Sequence, residues 1–400
     1  MRNIVAAAVA AAFAVPVFAQ APASPPPSWQ QGKPSAMAES TLHPFAIEVT
    51  GKGSKELPLS KLKVPNGFKV EVWAEGMPGA RSMALGQKGT LFVGTRARGG
   101  KVYAISGTPG TAAKPTVRVI GDNLNTPNGV AFHDGALYVA EINRLTRYDD
   151  IENSLDNVPQ PKVVRDDLPK DGHHGWRYIA FGPDNKLYFP IGAPCNVCNE
   201  PKYAMITRMN ADGSGQEVFA RGVRNTVGFT WHPVTKQLWF TDNGRDWLGD
   251  DTPPCELNVA ARAGLDFGFP YCHGKDIKDP EFGQLGECSK ITPPAQLLGP
   301  HVAPLGVKFY TGTRFPETYR GDAFIAEHGS WNRKEKNGYR ITRVKIDGTH
   351  GVKYEPFATG FNRGDDVFGR PVDLLVLQDG SMLMSDDTSD AIYRISYAAP

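Results

Sequence analysis

Three observations predict an all-β chain closed into a six-bladed β-propeller. The first is a succession of short runs rich in Val, Ile, Tyr, Phe and Trp, parted by turns such as GQKG, HDG, GPDN, HPVTK and QDG. No apolar 3.6-residue period is sustained over three turns. The second is a repeat. A strand motif recurs at Leu91-Phe92-Val93, Leu137-Tyr138-Val139, Leu187-Tyr188-Phe189, Leu238-Trp239-Phe240, Ala323-Phe324-Ile325 and Met382-Leu383-Met384, in steps of 46, 50, 51, 85 and 59 residues. Four of those steps fit one four-stranded blade each. The third is a mismatch at the ends. The last unit, closing on AIYRIS, lacks an outer strand, and Phe68-Lys69-Val70-Glu71-Val72-Trp73 has the pattern to supply it, removing two exposed sheet edges at once.

Taken in order, residues 1–19 read as a secretory signal peptide: Arg2, the apolar run AAAVAAAFAVPVF, and Val17-Phe18-Ala19 before Gln20. The run is too short for a membrane span and no later stretch reaches that length, so an exported, soluble, periplasmic protein is expected. Residues 20–47, rich in Pro, Ala, Ser and Gln, read as a flexible leader. Residues 48–400 form the propeller domain, with strand pattern from Leu57 onward and an insertion at about 246–295 that accounts for the longest step. A unit such as 117–149 divides into VRVI, NGVAF, ALYVAE and RLTRYD, with VRVI as the outer edge of the preceding blade.

The formal charge of +2 gives no large field and no Lys/Arg block stands out, so nucleic acid is not an implied partner. Cys195 and Cys198 form a CxxC followed by Asn199, which excludes covalent c-type haem there; a local disulfide is favoured over a structural zinc. How Cys255, Cys272 and Cys288 pair is left open.

A propeller gathers one loop from every blade at the mouth of its channel, so polar residues just before each inner strand are the candidates for chemistry. His174, beside His173, has the side chain to take a proton from an alcohol near neutral pH. One blade later stand Arg224 and Asn225, suited to an oxyanion or carboxylate, though an arginine closing a turn on carbonyls is an equal reading. The run Thr241-Asp242-Asn243-Gly244-Arg245-Asp246, with Asp250, Asp251 and Glu256 after it, suits calcium; a solvated acidic loop is the alternative. His301, Arg333 and Arg370 open or follow strands in the last two units. Together these groups describe a cationic mouth for a polyanionic ligand.

The motifs HGWRYIAFGPDNKLYFPIG, RGVRNTVGF, FTDNGRDWLGDD with CELN, GPHVAPLG, EHGSWNR and GRPVDLLV, in that order, resemble the soluble quinoprotein glucose/sorbosone dehydrogenases, nearest the sorbosone dehydrogenase branch. The resemblance runs from about Leu57 to Tyr397. It implies a six-bladed propeller that binds pyrroloquinoline quinone (PQQ) and calcium and oxidises an aldose or aldehyde sugar by hydride transfer to the quinone. It implies His174 as general base, Arg224 and Asn225 as catalytic and cofactor-binding residues, and His301, Arg333 and Arg370 on the cofactor wall. Gly244 and Arg245 fall where backbone carbonyls hold calcium. The family's base-orienting aspartate is replaced by Ala193, its second arginine by Val372, and the position of a family glutamine maps near Pro127 and Asn128. With no CxxCH, electrons are expected to pass to an external acceptor, a quinone or a separate cytochrome. Two other readings stand beside this one: a calcium-dependent lactonase or esterase using the acidic loop, and a propeller that binds a glycan without catalysis.

Overall fold

The structure is a computed structural model that describes residues 26–44 and 54–399; the expected signal peptide lies outside the described residues. Six sheets form six blades around a channel, each blade antiparallel; Leu265–Asp266 adds a short parallel strand at the edge of the third. Blade 1 is built from Ala80–Leu85, Leu91–Thr95, Arg98–Ser106 and Thr116–Asn125, blade 2 from Gly129–His133, Ala136–Ala140, Leu145–Tyr148 and Lys162–Arg165. Blade 3 holds Ala180–Phe181, Leu187–Ile191, Met205–Met209 and Glu217–Arg221; blade 4 holds Phe229–Trp231, Leu238–Asp242, Pro254–Ala260 and Gln296–Pro300. Blade 5 runs from Pro304–Phe309 through Ala323–Glu327 and Arg340–Asp347 to His350–Ala358. Blade 6 takes Pro371–Val376, Met382–Asp386 and Ala391–Tyr397 from the C-terminal end and Phe68–Glu75 from the N-terminal end.

The repeat motif is the second strand of every blade, and all its residues are buried in all six. The period of two explains why. Leu187, Phe189 and Ile191 enter the seam with blade 2, while Tyr188 between them enters the seam with blade 4. Leu238 and Phe240 likewise face blade 3 and Trp239 faces blade 5. Each of the six seams is one apolar cluster shared by two neighbouring blades. Strands buried on both faces read as continuous hydrophobic runs, which is why they stood out in the sequence.

Ring closure follows the expected scheme. Phe68–Glu75 pairs antiparallel with Ala391–Tyr397, Phe68 opposite Tyr397 and Val72 opposite Tyr393. Phe68 packs edge-on against Phe315 and Phe357, ring centroids 4.7 and 4.9 Å away, so the clasp is bonded to blade 6 and packed on blade 5. First strands line the channel, and those of blades 1, 5 and 6 carry bulges, at Ala80/Met83, Pro304/Val307 and Pro371/Leu374, which turn side chains such as Arg81 toward its mouth.

Two boundaries differ from the sequence reading. The expected insertion is split, because Pro254–Ala260 is the third strand of blade 4; the loops at 243–253 and 261–295 flank it. The second loop carries the disulfide Cys272–Cys288, Cys195 and Cys198 are joined, and Cys255 is a buried free thiol. Residues 26–44, expected as part of a flexible leader, lie against the channel mouth, where Asn196 and Trp247 bind their carbonyls; composition alone did not reveal those partners.

Phe68→Ala is expected to lower unfolding free energy by about 2–3 kcal/mol, below the usual cost for a fully buried phenylalanine because this ring is partly exposed. A denaturant titration checks it; a midpoint shift with unchanged single-transition cooperativity is the expected outcome, since the clasp belongs to the whole ring.

Candidate active site

At the channel mouth a cavity of about 350 Å³ collects side chains from separate blades. Among the described residues its wall carries four arginines, Arg81, Arg96, Arg224 and Arg370, against one carboxylate, Asp246. His173, His174, His301 and His328 add imidazoles. A cavity of this size with convergent polar groups is the form of a small-molecule site.

His174 is buried and sits at φ = 51°, a left-handed conformation that a non-glycine residue adopts at a cost and that clusters at functional sites. Gly192 makes room for it: a Cβ there would lie 2.6 Å from the His174 carbonyl oxygen. His174 Nδ1 is 2.8 Å from the Ala193 carbonyl oxygen, His174 Nε2 is 3.1 Å from His173 Nε2, and His173 Nδ1 is 2.6 Å from Ser28 Oγ. Hydrogen-bonding capacity assigns the protons. A carbonyl can only accept, so His174 Nδ1 donates and Nε2 keeps the lone pair; His173 Nε2 donates to that lone pair, and Ser28 donates to His173 Nδ1. Burial first, then the neighbouring imidazole and Arg224, hold His174 well below the ordinary histidine range against the opposing pull of the Ala193 carbonyl. Burial and then Arg224 lower His173 to about 4. Both rings are therefore neutral at pH 7.

Arg224 is spent on the protein. Its Nε and Nη2 donate to Asn196 O and Oδ1 at 2.9 and 2.8 Å, Nη1 to Asn243 O at 3.1 Å, and Nη2 also to Asp246 Oδ2 at 3.1 Å. The backbone N–H groups of Arg224 and Asn225 both donate to the buried Asp242 carboxylate, at 2.9 and 2.7 Å. Arg370 donates through Nε to His328 O and through Nη2 to Gly329 O, both at 3.0 Å. Arg81 pairs with Asp387 at 2.8 Å, and Asp387 also holds His328 Nε2 at 2.7 Å. Burial alone would raise Asp387, but His328, Arg81 and Arg370 outweigh it and keep it ionised. Arg96 differs. Its guanidinium lies 4.3 Å from the Trp176 ring centroid, and its buried Nε has no hydrogen-bond partner among the described residues. Burial, then Arg81, lowers it to about 9. An orphaned cationic donor on a positively lined cavity fits a polyanionic ligand such as a tricarboxylate.

A family description, TrAA12-like, matches residues 62–398. The chain belongs to the TrAA12-like family. It is 37% identical over 354 residues to an uncharacterized protein of Borreliella burgdorferi, covering 84% of this chain and 91% of that one. It is 23% identical to a pyrroloquinoline quinone-dependent pyranose dehydrogenase of Coprinopsis cinerea, covering 84% of this chain and 55% of that protein, so it spans about half of that relative's length. Among solved structures it resembles the holo form of the Coprinopsis cinerea pyranose dehydrogenase PQQ domain (TM-score 0.70, 19% identity, 84% of this chain and 97% of that chain). It also resembles the PQQ-bound aldose sugar dehydrogenase of Streptomyces coelicolor (TM-score 0.60, 20% identity, 84% and 100% covered). A calcium structure of the Trichoderma reesei AA12 enzyme is a further neighbour (TM-score 0.71, 19% identity, 84% and 97% covered). At these identities the solved structures establish the fold.

In this TrAA12-like chain His174, Arg224, Asn225, Gly244, His301 and Arg370 all border the cavity. Arg333 does not. Its Nε and Nη2 bind Asp250 O and Asp251 Oδ1, both at 3.1 Å, so a carbonyl and a carboxylate one loop away draw it to the rim, and Trp331 and Asn332 line the wall instead. Arg245 is also turned away: it is ion-paired with Asp279 and donates to Gly32 O at 3.1 Å. Among the described residues no group of three or more His, Cys, Asp or Glu is placed to hold a metal ion, so calcium at this loop would rest on main-chain carbonyls and on the ligand. Two of those carbonyls, Asn243 and Asp246, already accept from arginine or Asn196. Sequence reasoning missed Arg81 and Arg96. Arg81 stands at the inner strand of blade 1, the position that yields His174, Arg224, His301 and Arg370 in blades 3 to 6; Arg96 follows a second strand and carried no such signal.

Glu256, opposite Asp242 in blade 4, is pushed up to about 8 by burial and then by Asp242, itself raised by burial to about 6. The folded chain thus holds protons that the unfolded chain releases above the ordinary value of 4.5, so stability falls as pH rises from about 4.5 through 8. Glu256→Gln is expected to flatten that decline, by an amount on the order of 1 kcal/mol per pH unit, in denaturant midpoints measured between pH 5 and 8.5.

Proposed function

We propose that this chain is a quinoprotein oxidoreductase that oxidises an aldose or related aldehyde sugar with PQQ as hydride acceptor. The observation that carries this reading is a neutral imidazole base with an assigned tautomer set in one cavity with four arginines. The family membership and the PQQ-bound neighbours support it. Arg96 and Arg370 are the residues to hold carboxylates of the cofactor, with His301 beside them; Gly244 and Arg245 offer carbonyls to a calcium ion. When bound, PQQ supplies the two-electron acceptor for hydride leaving the sugar carbon, and calcium polarises it.

The chain's own contribution is proton transfer and orientation. As hydride leaves carbon, the hydroxyl proton must go to a base, and His174 Nε2 holds the lone pair. His173 presently caps that lone pair, so a substrate hydroxyl takes its place. The Ala193 carbonyl does what an aspartate does elsewhere: it fixes the tautomer and steadies the imidazolium, with a dipole in place of a full charge. Arg224, locked by Asn196, Asn243 and Asp246, contributes fixed positive potential beside the developing charge.

The lactonase reading needs a carboxylate-ringed metal in the channel. Here Asp242 is occupied by two backbone amides and Asp251 by Arg333 at the rim. We further propose export to the periplasm, from residues 1–19, and delivery of electrons to an external acceptor, a quinone or a separate cytochrome. L-Sorbosone joins the aldoses as a substrate to try.

The test is dye reduction by the purified chain supplied with PQQ and calcium, across a panel of aldoses and a lactone. His174→Ala is expected to cut kcat by about 10²–10⁴-fold while PQQ binding, followed by absorbance, stays intact. His173→Ala, which only uncaps the lone pair, should cost less; the reverse order moves the base to His173. Lactone opening without dye reduction supports the hydrolase. Since burial depresses both imidazoles, protonation silences the base only in acid, so the acid limb of kcat/KM is expected well below the ordinary histidine range and not near 6.5.

A further inference from the structure

Residues 27–33 cross the cavity mouth in a way that separates fastening from recognition. Fastening uses main-chain carbonyls. Asn196 N–H donates to Ser28 O at 3.0 Å and Asn196 Nδ2 to Gln31 O at 2.7 Å, Trp247 Nε1 donates to Trp29 O at 2.8 Å, and Arg245 Nη2 to Gly32 O at 3.1 Å. The donors are buried side chains and loop backbone of blades 3 and 4, and Asn196 also carries Arg224, so the strap and the cavity wall share an anchor. This accounts for Arg245: its guanidinium holds the strap.

The side chains left over face the cavity. Ser28 and Trp29 both line it. Ser28 Oγ meets His173, which meets the base. The Trp29 indole stands edge-to-face with Trp331, centroids 5.7 Å apart at 88°, and is backed by the buried Trp247 at 6.2 Å. Trp331 lines the cavity as well. About 350 Å³ remains with the strap in place, so the strap forms a wall and leaves the space open. A pyranose ring presents an apolar C–H face beside hydroxyls. A half-buried indole next to a hydroxyl and an imidazole pair offers matching surface to both.

Resting on the sugar dehydrogenase reading of the site, we propose that Ser28 and Trp29 of the strap are substrate-contacting residues that set which aldose is accepted. The strap lies outside the matched stretch 62–398, so this specificity belongs to a segment beyond the shared propeller.

The experiment uses the full chain. Hydrogen exchange of residues 27–33 is measured with and without saturating monosaccharide and disaccharide aldoses, and sugar KM, kcat and PQQ affinity are measured for wild type, Trp29→Ala, Trp29→Phe and Ser28→Ala. Expected are sugar-dependent protection of the strap, a KM raised about 10-fold and an altered sugar order in Trp29→Ala, partial rescue in Trp29→Phe, and PQQ affinity within about 2-fold throughout. Dye reduction with no protection and unchanged KM overturns the strap as substrate wall and leaves the oxidoreductase standing. Strap protection by a sugar with no dye reduction keeps the wall and overturns the oxidoreductase. Neither response overturns both. Exchange on wild type decides the matter even if a variant folds poorly.

Discussion

Closure of the ring by Phe68–Glu75 on Ala391–Tyr397 is the constraint from which the rest follows. An open run of six blades would leave edge strands unpaired at both ends, and residues from blade 1 and blade 6 would have no reason to meet. With the ring shut, Arg81 in blade 1 reaches Asp387 beyond the second strand of blade 6 at 2.8 Å, although about three hundred positions separate them in sequence. On Asp387, His328 of the neighbouring blade 5 joins Arg81, and Arg370 binds the His328 carbonyl. The cavity is thus a product of circular topology, and apolar seams between blades hold its walls rigid enough for buried charge to be kept in place.

Holding four guanidinium groups around one cavity carries an electrostatic cost, visible in Arg96, lowered by burial and by Arg81, and in Arg224 and Arg370, both lowered chiefly by burial. The protein offsets part of that cost with carboxylates behind the wall: Asp242 under the Arg224 backbone, Asp246 on its guanidinium, Asp387 between Arg81 and His328. The front of the wall stays positive. An anionic ligand relieves the repulsion that the fold tolerates, so the same charges that repel one another in the wall supply affinity and orientation when a polyanion enters.

The propeller was legible because each second strand is buried on both faces and so announces itself as an apolar run, and because Leu91, Leu137, Leu187, Leu238, Ala323 and Met382 recur at nearly blade-length steps in all but one interval. His174, Arg224, His301 and Arg370 were legible for the same topological reason, standing before first strands. What sequence could not convey was direction. Arg333 and Arg245 occupy promising positions, yet Asp251 and Asp279 pull them away from the cavity, and such pairings depend on loops whose course has no periodic signature. Ala193 read as a missing partner for His174, whereas its carbonyl makes the contact; backbone groups leave no trace in residue type. The strap at 27–33 was hidden for a related reason, since it is fastened through carbonyls that any composition possesses.

The central claim is that circular topology assembles one cationic cavity for a tricarboxylate quinone, and isothermal titration of PQQ into the purified chain with calcium tests it most directly. The account predicts one molecule bound per chain, affinity that weakens with added salt, and a loss of about 10-fold or more in Arg96→Met, whose orphaned donor then no longer meets the ligand. Absence of binding, or binding indifferent to both salt and Arg96→Met, would contradict it.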